Sequence, residues 1–583
     1  MRKKRWLCLM LAFAALFSFA GCNSEETGLT IDGFSIPEPI TAEDTDMTKD
    51  TERETMMYSS SLMDENLLIT HNVLDYGAAA NGTKNDGPAI VSAMKAAEQA
   101  GGGIVFLPAG DYLVSQQLTV PGNVTLCGEW IGNGEGFENG TTLLVNVGPG
   151  DNSTSSSSAF LRMSAGSMLS RMNIYYPGQN AEAPVAYPYT IANNAYLGFT
   201  VDSVNIINPY RGIRVVNHNV ITLNQINMSP IREGMYVDLI YDIPRYTRIT
   251  MSPELWVDYA AAKGAGQETA IREAVSQVVG MRFGKQDWAY LYDCDFSGLD
   301  TAVRLEDSEN GSGNFNGQFY NITMSDVNYG FHFRSVASVG VSVAYADIDA
   351  KVSAVRSETG FHYPAHVFFN ASELNAGGIA VDNAGDGALM FTECTFENWG
   401  DYALSNLGMG YVNADTCTFE KDGKIAQIGS STAASAIVNC TFASAEPAWD
   451  NASSSDQVYL RDAEVSEKIP RLPLEKEYSS ERRSAATDMV FFASDFGAVA
   501  DANYLNFNSA TDNTEAIQRA LNAAGKVGGG IVYLEAGDYY VKDYLVIPEG
   551  VELRGVSETN RHFGVNKKGT ALVTGCGEGD AVG

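Results

Sequence analysis

Short units that alternate apolar and other residues recur along the middle of the chain. A Cys-Thr-Phe unit occurs three times at steps of 23 residues, beginning at Cys394, Cys417 and Cys440. A second unit, a small residue followed by apolar-x-apolar, begins at Gly212, Gly234, Gly280, Ala302 and Gly330. Side chains two apart on a strand face the same side, so this alternation predicts short strands with one buried face. Repetition at about 22 residues predicts the stacked coils of a parallel β-helix.

The cysteines of the repeat are predicted to stack inside these coils. Successive coils lie about 4.8 Å apart, so Cys394, Cys417 and Cys440 would form an internal ladder. A disulfide or a metal cluster is the alternative, but parallel side chains in register suit stacking better than bridging. We therefore expect buried thiols at these positions.

One segment of the chain occurs twice. Residues 73–128 and 494–555 share an Asp-aromatic-Gly-Ala start, a Gly-Gly-Gly-Ile-Val stretch and a Gly-Asp-Tyr unit. In the first copy the pattern at 89–100 predicts an amphipathic helix, with Asp86 as its capping side chain. Such a helix would cover the exposed edge of the first coil. The second copy is followed closely by Gly583, so we expect only the start of a second domain.

The residues of this segment resemble a known family. The strings DYGA at 75–78, GGGIVFLPAGDYLV at 101–114 and VTLCG at 124–128 are similar to the N-terminal signature of the pectate-lyase-like superfamily. Within it they resemble the rhamnogalacturonase and epimerase-like branch. Two copies in one chain resemble the tandem family-55-type exo-β-1,3-glucanases. The resemblance implies an all-β protein: a right-handed parallel β-helix with an N-terminal capping helix, followed by the truncated start of a second β-helix.

The N-terminus has the pattern of a bacterial lipoprotein signal. Basic residues at 2–5 precede an apolar stretch and Phe19-Ala20-Gly21-Cys22, which is similar to a lipobox, so we expect Cys22 to carry lipid. The protein would then be extracytoplasmic and would contact the membrane through this anchor alone. The predicted order is a signal peptide at 1–21, a flexible tether at 22–64, a β-helix domain at 65–455, a linker at 456–489 and an incomplete second β-helix at 490–583.

The net charge and the spacing of the cysteines limit the kinds of partner, metal and cofactor that we expect. The chain has 71 acidic and 38 basic residues, a net charge of −33, which repels nucleic acid. An extracellular polysaccharide is the partner that we expect. The cysteines lack any Cys-x-x-Cys pairing, so we predict no metal site and no cofactor, with Ca²⁺ expected only if the protein is a lyase.

One stretch interrupts the repeat. The step from Gly234 to Gly280 is 46 residues, and its helical pattern predicts an insertion at about 252–279 that projects from the rod and walls a cleft. Carboxylates and flat aromatic rings around such an insertion are what a glycan site needs. The predicted catalytic residues are Asp287, Asp242 and Asp238, and the predicted substrate-binding residues are Trp288, Trp256, Tyr241 and Arg245. Turn capping by the aspartates and burial of Trp256 are the structural alternatives.

These features favour a surface-anchored glycoside hydrolase that acts on an extracellular polysaccharide. The strong negative charge disfavours a pectin-type substrate, so a neutral glucan is slightly preferred. A polysaccharide lyase is the enzymatic alternative. A non-catalytic glycan-binding or adhesive β-helix is the alternative without activity.

Overall fold

The protein is described by a computed structural model over residues 69–129, 136–196, 198–445, 447–461, 489–502, 509–535, 537–555 and 570–575, with a two-stranded ribbon of Thr30–Ile31 and Phe34–Ser35. The predicted signal peptide, Cys22, most of the tether and residues 462–488 of the predicted linker lie outside the described residues. No helix within the described ranges is long and apolar enough to cross a membrane.

The chain from Ile69 to Arg461 winds into a right-handed parallel β-helix, which confirms the predicted fold class. Each coil passes through three faces, named here sheets A, B and C. Sheet A contains Ile69–Asn72, Gly103–Leu107, Val124–Gly128, Met168–Tyr175, Phe199–Ile206, Ile221–Met228, Arg245–Met251, Gln286–Ser297, Phe315–Phe333, Val341–Ser357, His366–Asn370, Ala388–Thr392, Tyr411–Asp415, Ser435–Val438 and Val458–Arg461.

The other two faces complete each coil. Sheet B contains Asn81–Asn85, Gly110–Val114, Thr141–Val145, the second halves of the long sheet A strands, and then Glu373–Ala376, Thr395–Phe396, Thr418–Phe419 and Thr441–Phe442. Sheet C contains Leu118–Val120, Leu161–Met163, Tyr189–Asn193, Arg211–His218, Glu233–Ile240, Val279–Phe283, Thr301–Leu305, the ends of the strands at 315–333 and 341–357, and then Val381–Asn383, Leu404–Asn406, Lys424–Ile428 and Ala448–Asn451. The described coils thus extend past the predicted boundary at 455.

Within the described residues, each coil from Met168 to Asn439 bends from sheet A to sheet B at a single residue in the left-handed region. These residues have φ between 50° and 61° and are Arg171, Ser203, Gln225, Arg248, Asp293, Asn321, Tyr345, Ala371, Glu393, Thr416 and Asn439. Asn and Asp adopt this conformation most readily, yet arginine and tyrosine adopt it here too. The repeated bend keeps the coils in register, so side chains at equivalent positions stack along the rod.

The interior stack predicted from the Cys-Thr-Phe repeat is confirmed. Phe419 is paired in register with Phe396 and Phe442, and its ring centroid lies 4.8 and 5.4 Å from theirs. Cys394 and Cys417 are buried thiols outside any disulfide, whereas Cys440 is half-buried at the end of the row. Hydrogen bonds with its neighbouring thiols, together with burial, raise the pKa of Cys417 above its ordinary value.

Helix α1, Gly87–Gln99, covers the first coil as predicted and packs Ile90, Met94 and Ala97 into the core. Asp86 has a different role from the predicted one. Its carboxylate makes no capping hydrogen bond to the helix and accepts hydrogen bonds from the amides of Ala79 and Ala80 instead, at 2.7 and 3.0 Å. It therefore fixes the preceding loop beneath the helix.

A short helix, α2, spans Gly136–Asn139 earlier in the chain. The predicted insertion is present and consists of two helices. Its helices are α3, Glu254–Ala262, and α4, Glu268–Val275. They form a separate apolar cluster in which Trp256, Tyr259 and Ile271 pack with Ile207 and Ile231 of the coils. The insertion is thus fixed on the rod by its own core.

The second copy of the repeated segment forms a small unit of the same kind. Its strands are Val490–Phe492, Gly530–Leu534, Gly537–Val541, Val551–Gly555 and Thr570–Thr574, and helix α5, Thr514–Lys526, covers them. Its Val490 and Ile531 pack together with Ile104 of the first unit. Within the described ranges the second unit thus has an apolar contact with the first coil through Ile104.

Candidate functional site

A groove of about 390 Å³ lies on the outer surface of sheet C. Its lining residues are Thr154, Tyr189, Arg211, Arg214, Arg232, Glu233, Gln277, Val279, Arg282, Arg304, Glu306, Glu309 and Arg334. Six arginines against three glutamates give the groove a formal excess of three positive charges, although the whole chain carries −33. The local charge is therefore opposite in sign to the global charge.

The centre of the groove is a row of side chains at one position of successive coils. Strand pairing aligns Arg214, Tyr236, Arg282, Arg304 and His332 in that order. They are the variable residues of the apolar-x-apolar repeat. Sequence reasoning used this repeat to predict strands and missed that its outward position is cationic in three of five coils.

Tyr236 holds two of these arginines in place. The guanidinium carbons of Arg214 and Arg282 lie 4.8 and 4.7 Å from the centroid of its ring. Burial and the nearby carboxylate of Asp238 raise the pKa of Tyr236 well above its ordinary value, so the hydroxyl stays protonated. The ring is buried between the two cations and supports them from beneath the groove that they line.

The three glutamates are each paired with arginine. Arg282 donates to Glu233 and to Glu306, both at 2.5 Å, and Arg214 donates to Glu309 at 3.0 Å. The Tyr189 hydroxyl donates a short hydrogen bond to Glu233 as well. Glu233 and Glu306 are mostly covered, whereas the Glu309 side chain is 52% exposed.

Arg304 is the cation of the row that lacks an acid partner among the described residues. Its Nε is buried without a hydrogen bond. Burial lowers the pKa of Arg304, and Arg334 and Arg282 lower it further against the attraction of Glu306. A partly buried cation without an acid partner is costly to the fold, and such a group is a candidate for a binding site.

Asp238 builds the wall of the groove. This fully buried carboxylate accepts hydrogen bonds from Leu239 N, Lys285 N and Glu309 N at 2.8, 2.8 and 2.9 Å, and from the hydroxyls of Tyr236 and Ser308, both at 3.1 Å. The bonds to Ser308 and Glu309 tie the loop at 306–314 to sheet C, and this loop directs Glu309 toward Arg214.

None of the seven side chains predicted to form the site lies among the described lining of the groove. Asp238 is buried beneath it, and Trp256 is 3% exposed in the core of the insertion, where it cannot stack on a sugar. An oxygen of Asp242 accepts a hydrogen bond from Ile243 N, and Asp287 is ion-paired with Lys285 at 2.7 Å. Burial of Asp238 and Trp256 favours the structural alternative for both.

The remaining predicted residues are exposed on the far side of the loop at 306–314. Tyr241 and Trp288 are 42% and 53% exposed, and Arg245 is exposed at the start of its sheet A strand. The insertion does contribute to the groove, since Gln277 at its end is a lining residue. The structure therefore separates two surfaces that the sequence analysis had combined.

Residues 70–144 and 491–574 match the family model described as rhamnogalacturonase A/epimerase, pectate lyase-like. Both copies of the repeated segment are therefore similar to the pectate-lyase-like superfamily, which supports the resemblance seen in the sequence. Neither matched segment contains a lining residue of the groove, so the chemistry of the groove is read from its geometry.

Curated relatives of the chain come from Azotobacter vinelandii. Mannuronan C5-epimerase AlgE5 is 31% identical over 130 residues, which are 19% of this chain and 13% of that protein. Alginate lyase 7 is 39% identical over 71 residues, 11% of this chain and 8% of that protein. The chain thus spans about an eighth of the first relative's length, or less for the second.

Solved structures of similar shape include two classes of protein. The AlgE6 mannuronan C-5 epimerase A-module of A. vinelandii is 15% identical, with a TM-score of 0.32 over 68% of this chain and 100% of that one. The catalytic domain of a GH87 α-1,3-glucanase is 10% identical, with a TM-score of 0.42 over 65% of this chain and 66% of that one.

Proposed function

We propose that this protein binds and processes a polysaccharide of sugar acids in the arginine groove. The observation that carries the proposal is Arg304, a half-buried cation without an acid partner among the described residues, which lies next to Arg282 in the row. A sugar carboxylate is a planar anion that a guanidinium binds through two parallel hydrogen bonds. The row presents such groups at coil spacing, about 4.8 Å.

This proposal revises the preference for a neutral glucan. That preference used the net charge of the chain, but a ligand in the groove meets the local excess of three positive charges. Charges within several ångströms outweigh distant ones, which salt screens over about 10 Å. The names of the relatives, a mannuronan epimerase and an alginate lyase, agree with a polymer of sugar acids.

The reaction that suits the groove begins with removal of the proton next to the sugar carboxylate. Arg304 would bind the carboxylate and stabilise the negative charge that develops when the carbon–hydrogen bond breaks. Glu309 is the accessible carboxylate of the groove and is the candidate base that takes this proton. Return of a proton from solvent to the opposite face gives the epimer. Breakage of the neighbouring carbon–oxygen bond instead gives an unsaturated sugar, and the departing oxygen takes a proton from solvent to become the hydroxyl of a new chain end.

Calcium does not fit this groove. Its three glutamates are already paired with arginines, and no cluster of three or more His, Cys, Asp or Glu side chains suited to a metal occurs within the described ranges. Ca²⁺ needs six to eight oxygen ligands. The arginines, rather than Ca²⁺, would therefore neutralise the substrate carboxylate.

Hydrolysis is the second candidate, because Arg282 holds two carboxylates, Glu233 and Glu306, at one guanidinium. Glycoside hydrolysis uses such a pair, one of which must be protonated to act as the acid. A non-catalytic adhesin would bind the polymer and leave it intact.

Incubation with polymannuronate, polygalacturonate and a neutral β-glucan tests the proposal. We expect a change in the anionic polymers alone, seen either as absorbance of unsaturated ends or as inverted sugars by NMR. Arg304→Gln should abolish it, and Arg272→Gln, an exposed arginine of the insertion, should not. Reducing ends without unsaturation would favour hydrolysis, and binding without turnover would favour the adhesin. A wild-type protein that neither binds nor changes an anionic polymer would contradict the proposal.

Surface anchoring is a separate proposal that rests on the lipobox-like Cys22. Replacement of Cys22 by Ser should release the protein from the membrane fraction. Retention of the variant in that fraction would exclude a lipid anchor at this residue.

A further inference from the structure

We propose that the polysaccharide continues from the groove over its wall onto a second binding surface, the aromatic patch, formed by Tyr196, Tyr241 and Trp288. This inference rests on the proposed function and adds to it a preference for long chains. The ligand of the patch is the pyranose face of the same polymer, since flat rings stack on aromatic side chains.

The three residues of the aromatic patch lie where the coils turn from sheet C to the next sheet A. The centroids of Tyr196 and Tyr241 are 6.4 Å apart, with the rings tilted by 36°. Ile240 is paired with Gln286, so Tyr241 and Trp288 lie on neighbouring coils. The three side chains are 45%, 42% and 53% exposed. Their faces are thus available to a ligand along one edge of the rod.

Trp288 is held outward by an unusual backbone. Its φ is +57°, a region that bulky residues seldom adopt, and the strand pairing shifts between Gln286 and Ala289 on either side of it. The amide of Trp288 donates to the Asn316 side chain at 2.9 Å. Strained backbone that places a large apolar side chain in water indicates a binding role.

The aromatic patch and the groove share one support. The buried Asp238 carboxylate accepts hydrogen bonds from the amides of both Lys285 and Glu309, at 2.8 and 2.9 Å. The ammonium of Lys285 lies 4.4 Å from the centroid of Tyr241, whereas Glu309 faces Arg214 in the groove. The loop at 306–314 is therefore a wall with a cationic groove on one side and the aromatic patch on the other.

The separation between the two surfaces sets a chain length. Tyr236, buried between Arg214 and Arg282, and Tyr241 are five residues apart, which is at most about 16 Å along the chain. The strand Glu233–Ile240 joins them and bends at Leu239, whose φ is +57°. A disaccharide bound beside Arg304 covers the groove alone, whereas a longer polymer can occupy both surfaces. Only the longer ligand gains the stacking contacts.

The same edge of the rod offers a matched control. Tyr363 lies three coils beyond Trp288 in an equivalent turn, about 14 Å along the axis, and is 72% exposed. It resembles the residues of the aromatic patch in exposure and chemistry, but it is not part of the assembly around Asp238. Replacement of Tyr363 by Ala removes an exposed ring without altering the patch.

Calorimetric titration of the full chain with long polymannuronate and with its disaccharide tests the proposal. Trp288→Ala and Tyr241→Ala should each weaken binding of the polymer about tenfold and leave the disaccharide unchanged. Tyr363→Ala should bind both ligands like the wild type. Arg304→Gln should weaken both ligands.

The outcomes separate the two proposals. Wild-type affinity of both patch variants for the polymer would overturn the aromatic patch while the groove stands. The aromatic patch would also be overturned if Tyr363→Ala weakened polymer binding as much as Trp288→Ala, because loss of any exposed ring would then have the same effect. Wild-type affinity of Arg304→Gln for both ligands would overturn the groove instead. Circular dichroism of each variant should match the wild type, since all three aromatic side chains are exposed.

Discussion

The backbone amide of Glu309 donates a 2.9 Å hydrogen bond to the carboxylate of Asp238, which lies 71 residues earlier in the chain. The same carboxylate also binds the Ser308 hydroxyl and the amide of Lys285. Gly284 leaves room for it, since a Cβ there would lie 2.2 Å from Oδ1. Asp238 therefore positions the wall of the groove.

Replacement of Asp238 by Asn should destabilise the protein. An amide has one acceptor oxygen, and its NH₂ group would face N–H and O–H donors, so buried donors would be left without partners. We expect a loss of about 2–4 kcal/mol in urea unfolding, with weaker polymer binding because Glu309 is released. Asp258→Asn, at an exposed position of α3, is the control and should change stability by no more than about 0.5 kcal/mol. Equal stability of the two variants would contradict the positioning role.

Arg304 and Arg282 should have opposite effects on stability. Arg304→Gln removes a buried cation that has no acid partner among the described residues, so the midpoint of thermal unfolding should rise while binding is lost. Arg282→Gln leaves Glu233 and Glu306 without their shared cation, so its midpoint should fall. Differential scanning calorimetry measures both. A fall for Arg304→Gln would show that this arginine stabilises the fold.

His332 should make the protein sensitive to mild acid. Burial lowers its pKa to about 4, and Arg304 acts in the same direction, against the 2.8 Å contact with Glu358. Between about pH 6.5 and 4 the unfolded chain binds a proton that the folded chain does not. Stability should therefore fall through this window as the pH falls, by up to about 3 kcal/mol.

Urea unfolding of the wild type and His332→Gln at about pH 7 and about pH 4.5 isolates this contribution. The variant should lose less stability between the two conditions, because the other titrating groups are common to both proteins. The same loss in both would exclude His332 as a source of the acid sensitivity.

Phe419→Ala should open a cavity in the middle of the aromatic stack. Its ring lies 4.8 Å from that of Phe396 and 5.4 Å from that of Phe442, and it is fully buried. We expect a loss of about 3–5 kcal/mol in urea unfolding. Phe442→Ala, at the half-buried end of the same row, should cost clearly less. A similar cost at both positions would mean that the stack does not depend on burial.

The repeat in the sequence predicted the coils, because burial imposes alternation on the strands, and the interruption of the repeat predicted the insertion. The capping helix was predicted separately, from the helical pattern in the duplicated segment. The outward positions of the same repeat carry no such constraint, so Arg214, Arg282 and Arg304 read as ordinary surface residues. These arginines align only if the 46-residue step from Gly234 to Gly280 is interpreted as one coil of ordinary length plus the insertion. The loop at 306–314 has no periodic signal, so Glu309 could not be assigned to the site.

The sequence analysis selected its site from acidic and aromatic side chains near the insertion, and these residues do not line the groove. Trp256 belongs to the small core beneath α3 and α4, which helical spacing alone does not distinguish from an exposed platform. The preference for a neutral glucan used the net charge of the chain, whereas the proposed sugar-acid polymer rests on the local charge of the groove, where arginines are concentrated.

The register that aligns the side chains also gives the rod a mechanical property. Hydrogen bonds between neighbouring coils point along the axis of the β-helix. A force applied between the two ends of the rod therefore acts on these bonds one coil after another. Phe396, Phe419 and Phe442 mark coils of equal length, 23 residues each. Each coil that detaches would release about 80 Å of slack chain. Under tension these coils would lengthen the protein in equal steps, each of which absorbs work.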